Sequence, residues 1–458
     1  MRKDALLQVI AEWLREMVLP PLMHREMPSL DLRKQRAILA VAGPRRAGKT
    51  YYLYQLIQDL MKSKRILRED ILFVDFEDYR LQGFGPSDVD QLFTAFQQLA
   101  GRQPRFLFFD EIQHVPEWNR ILRTLHNRRS YTIVVSGSNS SLLGREIATE
   151  LRGRYEDILM LPFSFREVLR FHRVTFDAAT FHTSQRGRLI KAFEDYLQFG
   201  GFPETLSREG VLEKRKLLQT YYRTVFYKDI LERYNIKARP ILDQMMGSFL
   251  ESYSTTFSIS TFEKQLKTAG LSGSKRTISN YLQFLEEAFF LITSEKFAYS
   301  QRKRMMNPKK VYLMDTGLAL LGGAFTENRG YLLENVVALE LLRRGRKMFY
   351  YKGAQECDFI LQEGRHPSEA WQVCWEVTPR NEQRELKGLL EAMRQLKIPK
   401  GGILTYDQEE VRTVNGLNVP FVPVWKWLLL SGEEEKRPIG FLVEEPKSPY
   451  LTKVKRRS

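Results

Sequence analysis

The run Gly43-Pro44-Arg45-Arg46-Ala47-Gly48-Lys49-Thr50 has the spacing G-x-x-x-x-G-K-[ST]. Glycines let such a loop wrap closely around phosphate oxygens. Successive backbone N–H groups and the start of the following helix then face the anion. Lys49 is placed to reach the β- and γ-phosphates of ATP, and the Thr50 hydroxyl to ligate Mg²⁺. Gly43, Pro44, Arg45, Arg46, Ala47, Gly48, Lys49, Thr50 and Tyr51 are therefore the expected nucleotide contacts.

A second run, Phe106-Leu107-Phe108-Phe109, ends in Asp110-Glu111. A buried strand closing on two carboxylates is the Walker B arrangement: Asp110 holds Mg²⁺ and Glu111 orients the attacking water. Thr132–Ser136 runs into Gly137-Ser138-Asn139. A polar group at that strand end can sense the γ-phosphate or the water; Ser138 and Asn139 are both candidates, and Asn139 is carried forward. Arg154, with Arg152 behind it, is the candidate for an arginine that stabilises transition-state charge in a neighbouring subunit.

These groups need a scaffold, and the apolar pattern supplies one. Ile38–Ala42, Ile71–Phe76, Phe106–Phe109 and Thr132–Ser136 are short apolar runs alternating with helical stretches. That pattern predicts a doubly wound α/β layer of buried parallel strands. The expected order is an N-terminal helix and linker (1–35), a P-loop ATPase core (36–170), a helical segment (171–240), a winged helix (241–320), a further α/β domain (331–430) and a charged tail (431–458). A glycine-bearing linker is expected across 321–331.

Within 260–292, Ser260 or Thr261 can cap a short helix, Gly270 to Gly273 form a turn, and Ile278, Leu282 and Leu285 line one face of a second helix. This is helix-turn-helix patterning. Lys275, Arg276, Ser279 and Asn280 then occupy the exposed half that meets a DNA major groove. Between expected strands Ile292–Ala298 and Lys310–Met314 lies a loop with Gln301, Arg302, Lys303, Arg304, Lys309 and Lys310, a wing suited to gripping phosphates.

Further on, Glu334 falls on a helix, Asp358 in the strand Glu356–Leu361, and Gln372 and Cys374 in the next strand. The order resembles the PD-(D/E)xK nuclease fold. That family's chemistry places a helix Glu, a strand Asp and a following (D/E)-x-K around Mg²⁺. Here Glu334 and Asp358 match, Gln372 replaces the acid and Cys374 the lysine. A neutral amide and a thiol do not restore that site, so the domain is expected to bind or scaffold rather than to cut.

The stretches "GPRRAGKT", "VDFEDYRL", "FLFFDEIQHVPEW", "YLQFGGFPE", "VYLMDTGLALL", "LLENVVALELLRRG" and "CDFI" resemble a prokaryotic AAA+ ATPase family whose members usually carry a C-terminal domain once labelled as of unknown function. The resemblance covers about residues 30–410. It implies an oligomeric machine, and it implies that Gly200–Pro203 opens a helical lid.

Lys plus Arg total 71 against 55 Asp plus Glu, a net charge of +16 that attracts polyanions. Cys357 and Cys374 are the two cysteines, which fits a reducing cytoplasm and speaks against a zinc site. No apolar run reaches the ~20 residues that cross a bilayer. The resulting expectation is a Mg²⁺-dependent ATPase that binds duplex or branched DNA as a ring, taken as a hexamer, in repair or recombination. Holliday-junction branch migration is the specific candidate. A regulatory ATPase switch acting on protein partners is the alternative, and an ATP-gated nuclease the third reading.

Overall fold

The computed structural model describes residues 3–28, 30–62, 66–139, 154–177, 183, 185–322 and 329–429. It is a mixed α/β protein that divides into two compact units. Unit 1 comprises Met1–Thr293 and Val311–Phe325; unit 2 comprises Ser294–Lys310 and Thr326–Ser458.

In unit 1, α1 (Lys3–Ala11) buries Leu6, Val9 and Ile10, a helical spacing, and continues in a π-helical turn whose Trp13 donates its indole N–H to Ile71 O at 2.6 Å. The strands β1 (Ile38–Ala42), β2 (Ile71–Asp75), β3 (Phe106–Asp110), β4 (Thr132–Gly137) and β5 (Tyr155–Leu159) follow. They form one parallel sheet in the order β2-β3-β4-β1-β5. The apolar runs of β1, β2 and β3 become almost wholly buried strands, as a sheet covered on both faces requires. Helix α2 (Lys49–Met61) leaves the loop after β1.

Beyond the sheet, α3 (Arg186–Phe199) stops at Gly200, whose φ is +73°. A Cβ on Gly200 would stand 1.6 Å from Asp315 Oδ1, and one on Gly201 would stand 2.2 Å from Phe163 O. Asp315 also accepts the Gly201 N–H at 2.7 Å. The glycine pair is thus required by close approach. Helices α4 (Pro203–Leu206) and α5 (Val211–Thr224) follow, and α5 runs on as a π-helical stretch, Val225–Glu232.

The helix pair α6 (Ile259–Thr268) and α7 (Lys275–Glu287) comes next. The capping residue of α6 is Ser258, not Ser260 or Thr261: its hydroxyl accepts the Thr261 N–H at 3.4 Å. On α7, Ile278, Leu282 and Leu285 are buried, while Lys275, Arg276, Ser279 and Asn280 are exposed.

Strands β6 (Leu291–Lys296) and β7 (Lys309–Leu313) flank the basic segment. That segment differs from the expected loop. It holds a short helix, Gln301–Met306, and belongs to unit 2. Arg304 turns inward: it donates to Ala298 O at 2.9 Å, pairs with Glu295 at 3.2 Å and stacks over Phe349. Lys310 is buried as well, because its position on the strand faces inward. Arg302 and Lys303 remain exposed, and Lys309 is half-buried.

Unit 2 continues with α8 (Arg329–Arg343), β8 (Lys347–Lys352), β9 (Glu356–Glu363), β10 (His366–Cys374), α9 (Glu382–Leu396), β11 (Lys400–Thr405), β12 (Glu410–Val414) and β13 (Leu417–Pro423). These strands lie in the order β12-β13-β11-β10-β9-β8, and Glu295 and Lys296 of β6 pair with β8. β10, β11 and β13 run parallel, with antiparallel pairs at β8–β9, β9–β10 and β12–β13. The expected linker across 321–331 overlaps the start of α8. Among the described residues, no helix is long and apolar enough to cross a membrane.

Candidate active site

The parallel strands of unit 1 deliver their functional groups at one edge. Register places Asp75 beside Asp110, Phe109 beside Val135, and Val41 beside Ser136. The loop after β1 passes so close to β5 that a Cβ on Gly43 would lie 2.0 Å from Met160 O. Gly48 adopts φ +95° at the start of α2, a conformation that glycine takes without strain.

Lys49 is buried. Its Nζ donates to Gly43 O and Pro44 O, each at 3.2 Å, and lies 3.3 Å from Glu111 Oε1. Asp110 is also buried and accepts hydrogen bonds from the Ser136 and Thr50 hydroxyls. Burial, reinforced by the neighbouring Glu111 charge, pushes the Asp110 carboxyl up to about 6 despite those hydrogen bonds. Burial acts to raise Glu111 too, but the Lys49 ammonium and the Gln113 amide outweigh it and hold Glu111 below the usual carboxylate range. Glu111 sits at φ +48°, an unusual backbone for a side chain of this kind and a mark of a constrained site.

The end of β4 closes the set. Ser138 N donates to Glu111 Oε2 at 3.1 Å, and Gln113 Nε2 reaches both Glu111 and the Ser138 hydroxyl. Asn139 is buried at the same strand end. Ser136 and Gln113 carry no signal in the sequence, because neither belongs to the phosphate-loop or two-carboxylate spacing.

Arg45 and Arg46 divide their roles. Arg45 donates to Asp229 of the π-helical stretch and, through Nη1, to Glu77 Oε1 at 2.6 Å. Its guanidinium is thus committed to these two carboxylates. His114 and Arg45 together draw Glu77 down to about 2. Arg46, at φ +66°, stays exposed over the Tyr221 ring, and Tyr51 is exposed on α2.

Arg25, from the N-terminal segment, buttresses the loop from behind. It donates to Ala47 O at 2.7 Å and Leu161 O at 2.8 Å, and pairs with Glu167 at 2.7 Å. A cleft of about 1520 Å³ opens beside these groups, lined by Met17, Pro21, Met23, Arg46, Tyr51 and Tyr221 among others. Such a volume accommodates a nucleotide.

Arg154 lies elsewhere. Its carbonyl accepts the Ile38 N–H at 2.9 Å, at the start of β1, and its exposed side chain bonds Asn127. The phosphate loop leaves the other end of that strand, roughly 16 Å away at 3.3 Å per residue. Arg154 therefore does not serve the site of its own chain. Arg152 falls outside the described residues.

For Mg²⁺ the donor set fits: a hydroxyl and a carboxylate in contact, both hard oxygen ligands, with Glu111 adjacent. Among the described residues no group of three or more His, Cys, Asp or Glu is arranged to hold a metal by itself. An ion that keeps phosphate oxygens and waters as its other ligands suits that sparse set.

Fold and site together define an AAA-type P-loop ATPase. Residues 35–169 match the family described as AAA domain, and residues 190–326 match a domain of unknown function, DUF8612. The chain belongs to the family of the uncharacterized protein MJ1544 of Methanocaldococcus jannaschii, to which it is 32% identical over 403 residues, covering 86% of this chain and 88% of the relative. An uncharacterized protein of Haemophilus influenzae is 29% identical over 393 residues, covering 85% and 94%. Among solved structures, the Walker-type ATPase paby2304 of Pyrococcus abyssi is similar at 14% identity and a TM-score of 0.39, over 64% of this chain and 92% of that one.

Proposed function

We propose that this ATPase hydrolyses ATP with Mg²⁺ in a ring, taken as a hexamer, and couples the reaction to DNA. In this reading the γ-phosphate draws Lys49 away from Glu111. Glu111, held by Gln113 and the Ser138 N–H, then orients the attacking water. Thr50 and Asp110 would hold Mg²⁺, which would neutralise charge on the phosphates. Arg154 of one subunit stabilises the transition state of the next, a role that its distance from its own phosphate loop favours.

The observation that carries the DNA half is the exposed polar half-helix Lys275, Arg276, Ser279 and Asn280, which follows a turn and is capped by Ser274. A winged helix with this face outward meets a major groove. Arg302 and Lys303, exposed in unit 2, are separate candidates for phosphate contacts. Unit 2, with the strand and helix order of a PD-(D/E)xK fold, would be a binding or scaffolding domain. Duplex or branched DNA in repair or recombination is the expected substrate, and branch migration at a junction the specific activity. The test is the ATP turnover rate with and without duplex and junction DNA. Stimulation supports the reading, and an unchanged rate with no DNA binding overturns it.

One observation favours a second reading, an ATPase switch that acts on proteins. Tyr299, Met305 and Met306, in and beside the same basic helix, are all exposed. Exposed methionine and tyrosine suit a protein contact better than a phosphate backbone.

A further inference from the structure

In unit 2 an ammonium stands among carboxylates. Lys310 is 2% exposed, and its Nζ lies 2.8 Å from Asp358 Oδ1, 2.8 Å from Glu334 Oε1 and 2.9 Å from Glu356 Oε1. An ammonium has three N–H donors and no acceptor. Three carboxylates accept here, so its bonding capacity is filled. Lys352 adds a second cation on Glu356, at 2.9 Å.

By its sequence this place is a degraded metal site, with the family lysine replaced at Cys374. The structure corrects half of that view. Cys374 is a buried thiol whose Sγ accepts an N–H from Asn381, and burial pushes it up to about 11, so it stays neutral. A lysine is nevertheless present, delivered from the β7 strand.

A divalent ion does not fit beside it. Mg²⁺ needs oxygens at roughly 2.1 Å and Ca²⁺ at roughly 2.3–2.6 Å, in a shell of six or more. These carboxylates are spaced for N–H···O bonds instead. Asp358 Oδ2 also accepts the Val373 N–H at 2.9 Å, while Gln372 bridges Asp358 N and Glu385. With the Lys310 ammonium at their centre these carboxylates are not set to hold a metal, nor is any other grouping of acids, histidines or cysteines among the described residues. Without some cation, three carboxylates gathered in a buried site would repel one another strongly.

We propose that Lys310 is a tethered cation: the Glu334–Glu356–Asp358 cluster is a cation site permanently filled by the chain's own ammonium, so unit 2 holds its fold without a divalent metal. The inference rests on the reading of unit 2 as nuclease-like and non-cutting, but it concerns metal occupancy and not DNA.

Its test is Mn²⁺ binding by the full chain without nucleotide, followed by the electron paramagnetic resonance of free Mn²⁺. Wild type and Asp358→Asn should bind equally, since any ion at the ATP site is common to both. Lys310→Met should gain about one Mn²⁺ per chain and melt at higher temperature when Mn²⁺ is added. The double variant Lys310→Met/Asp358→Asn should lose that gain. A wild-type site that disappears in Asp358→Asn overturns the proposal, as does a folded Lys310→Met that gains none. Should Lys310→Met not fold, the comparison of wild type with Asp358→Asn decides. DNA cutting and DNA binding do not enter these counts, so a failure of the DNA reading is seen separately.

Discussion

Arg45 donates through Nε to both carboxylate oxygens of Asp229, at 2.8 and 3.0 Å, and so joins the phosphate loop to the π-helical stretch that ends α5. Asp229 is buried, and burial holds its carboxyl above the usual range in spite of Arg45. Breaking the pair leaves that carboxylate without its main partner, at a cost of about 1–3 kcal/mol. Arg45→Ala should therefore lower the melting temperature and speed hydrogen exchange in 225–232. Arg45→Asp/Asp229→Arg should restore part of the protection. Unchanged exchange in Arg45→Ala would show that the pair does not hold the π-helical stretch in place.

Lys49 is the cation that points into the phosphate loop, with its ammonium on Gly43 O, Pro44 O and Glu111. Lys49→Ala should lose nucleotide binding or turnover, and Glu111→Gln should bind ATP but hydrolyse it roughly 10²–10³-fold more slowly. Fluorescent-nucleotide titration beside a phosphate-release assay separates the two. Near-normal turnover in Glu111→Gln would move the water-orienting role to another group.

Asp110 carries a pH signature. Its carboxyl is raised from 3.8 to about 6 in the folded chain. Between those values the folded chain binds a proton that the unfolded chain does not. Stability from this group therefore rises as pH falls through 6, and the ionised form is the costly one above it. Cation binding has the opposite preference, because it requires the ionised carboxylate and releases the proton. The enhancement of nucleotide affinity by Mg²⁺ should fall about tenfold per unit below pH 6. The free chain should meanwhile gain, not lose, melting temperature from Asp110 over that range. A Mg²⁺ enhancement flat across the same range would remove Asp110 from the metal site.

The parts of this site readable in the sequence are those fixed by local spacing. The phosphate loop, the strand that ends in Asp110-Glu111 and the buried face of α7 each lie within a few residues of chain, where period and motif decide the outcome. The rest of the site depends on pairings distant in sequence. Arg25 reaches Ala47 and Glu167, Arg45 reaches Asp229, and Lys310 reaches Asp358. No local pattern marks a partner that lies tens of residues or more away along the chain. The basic segment 301–310 differs from the expected wing for a related reason: charge alone does not tell an exposed Arg302 from an Arg304 stacked on Phe349 or a buried Lys310.

Arg154 tests for a shared site. Arg154→Ala should bind ATP normally, because its side chain lies at the far end of β1 from the phosphate loop, and should hydrolyse it poorly. Glu111→Gln subunits retain Arg154, and Arg154→Ala subunits retain Glu111. Mixing the two inactive proteins should restore part of the turnover at the interfaces that combine the intact residues. Mixed oligomers, verified by two affinity tags, that remain inactive would count against action between subunits.

DNA binding by the basic segment can be divided residue by residue. Arg302 and Lys303 are exposed, so replacing both with Ala should weaken binding to unrelated sequences alike. Removing one cation–phosphate pair should also lower the slope of log K against log salt by roughly 0.9. Arg304→Ala should behave differently. Its guanidinium serves Glu295, Ala298 and Phe349, so the variant should lose stability and leave the salt slope unchanged. Lys275→Ala and Arg276→Ala on α7 should reduce the slope if they touch phosphates; if they read bases, they should relax preference among sequences. Fluorescence anisotropy with labelled duplexes at several salt concentrations separates these outcomes. Equal affinity and slope for wild type and Arg302→Ala/Lys303→Ala, with α7 variants equally silent, would transfer this surface to the protein-binding reading.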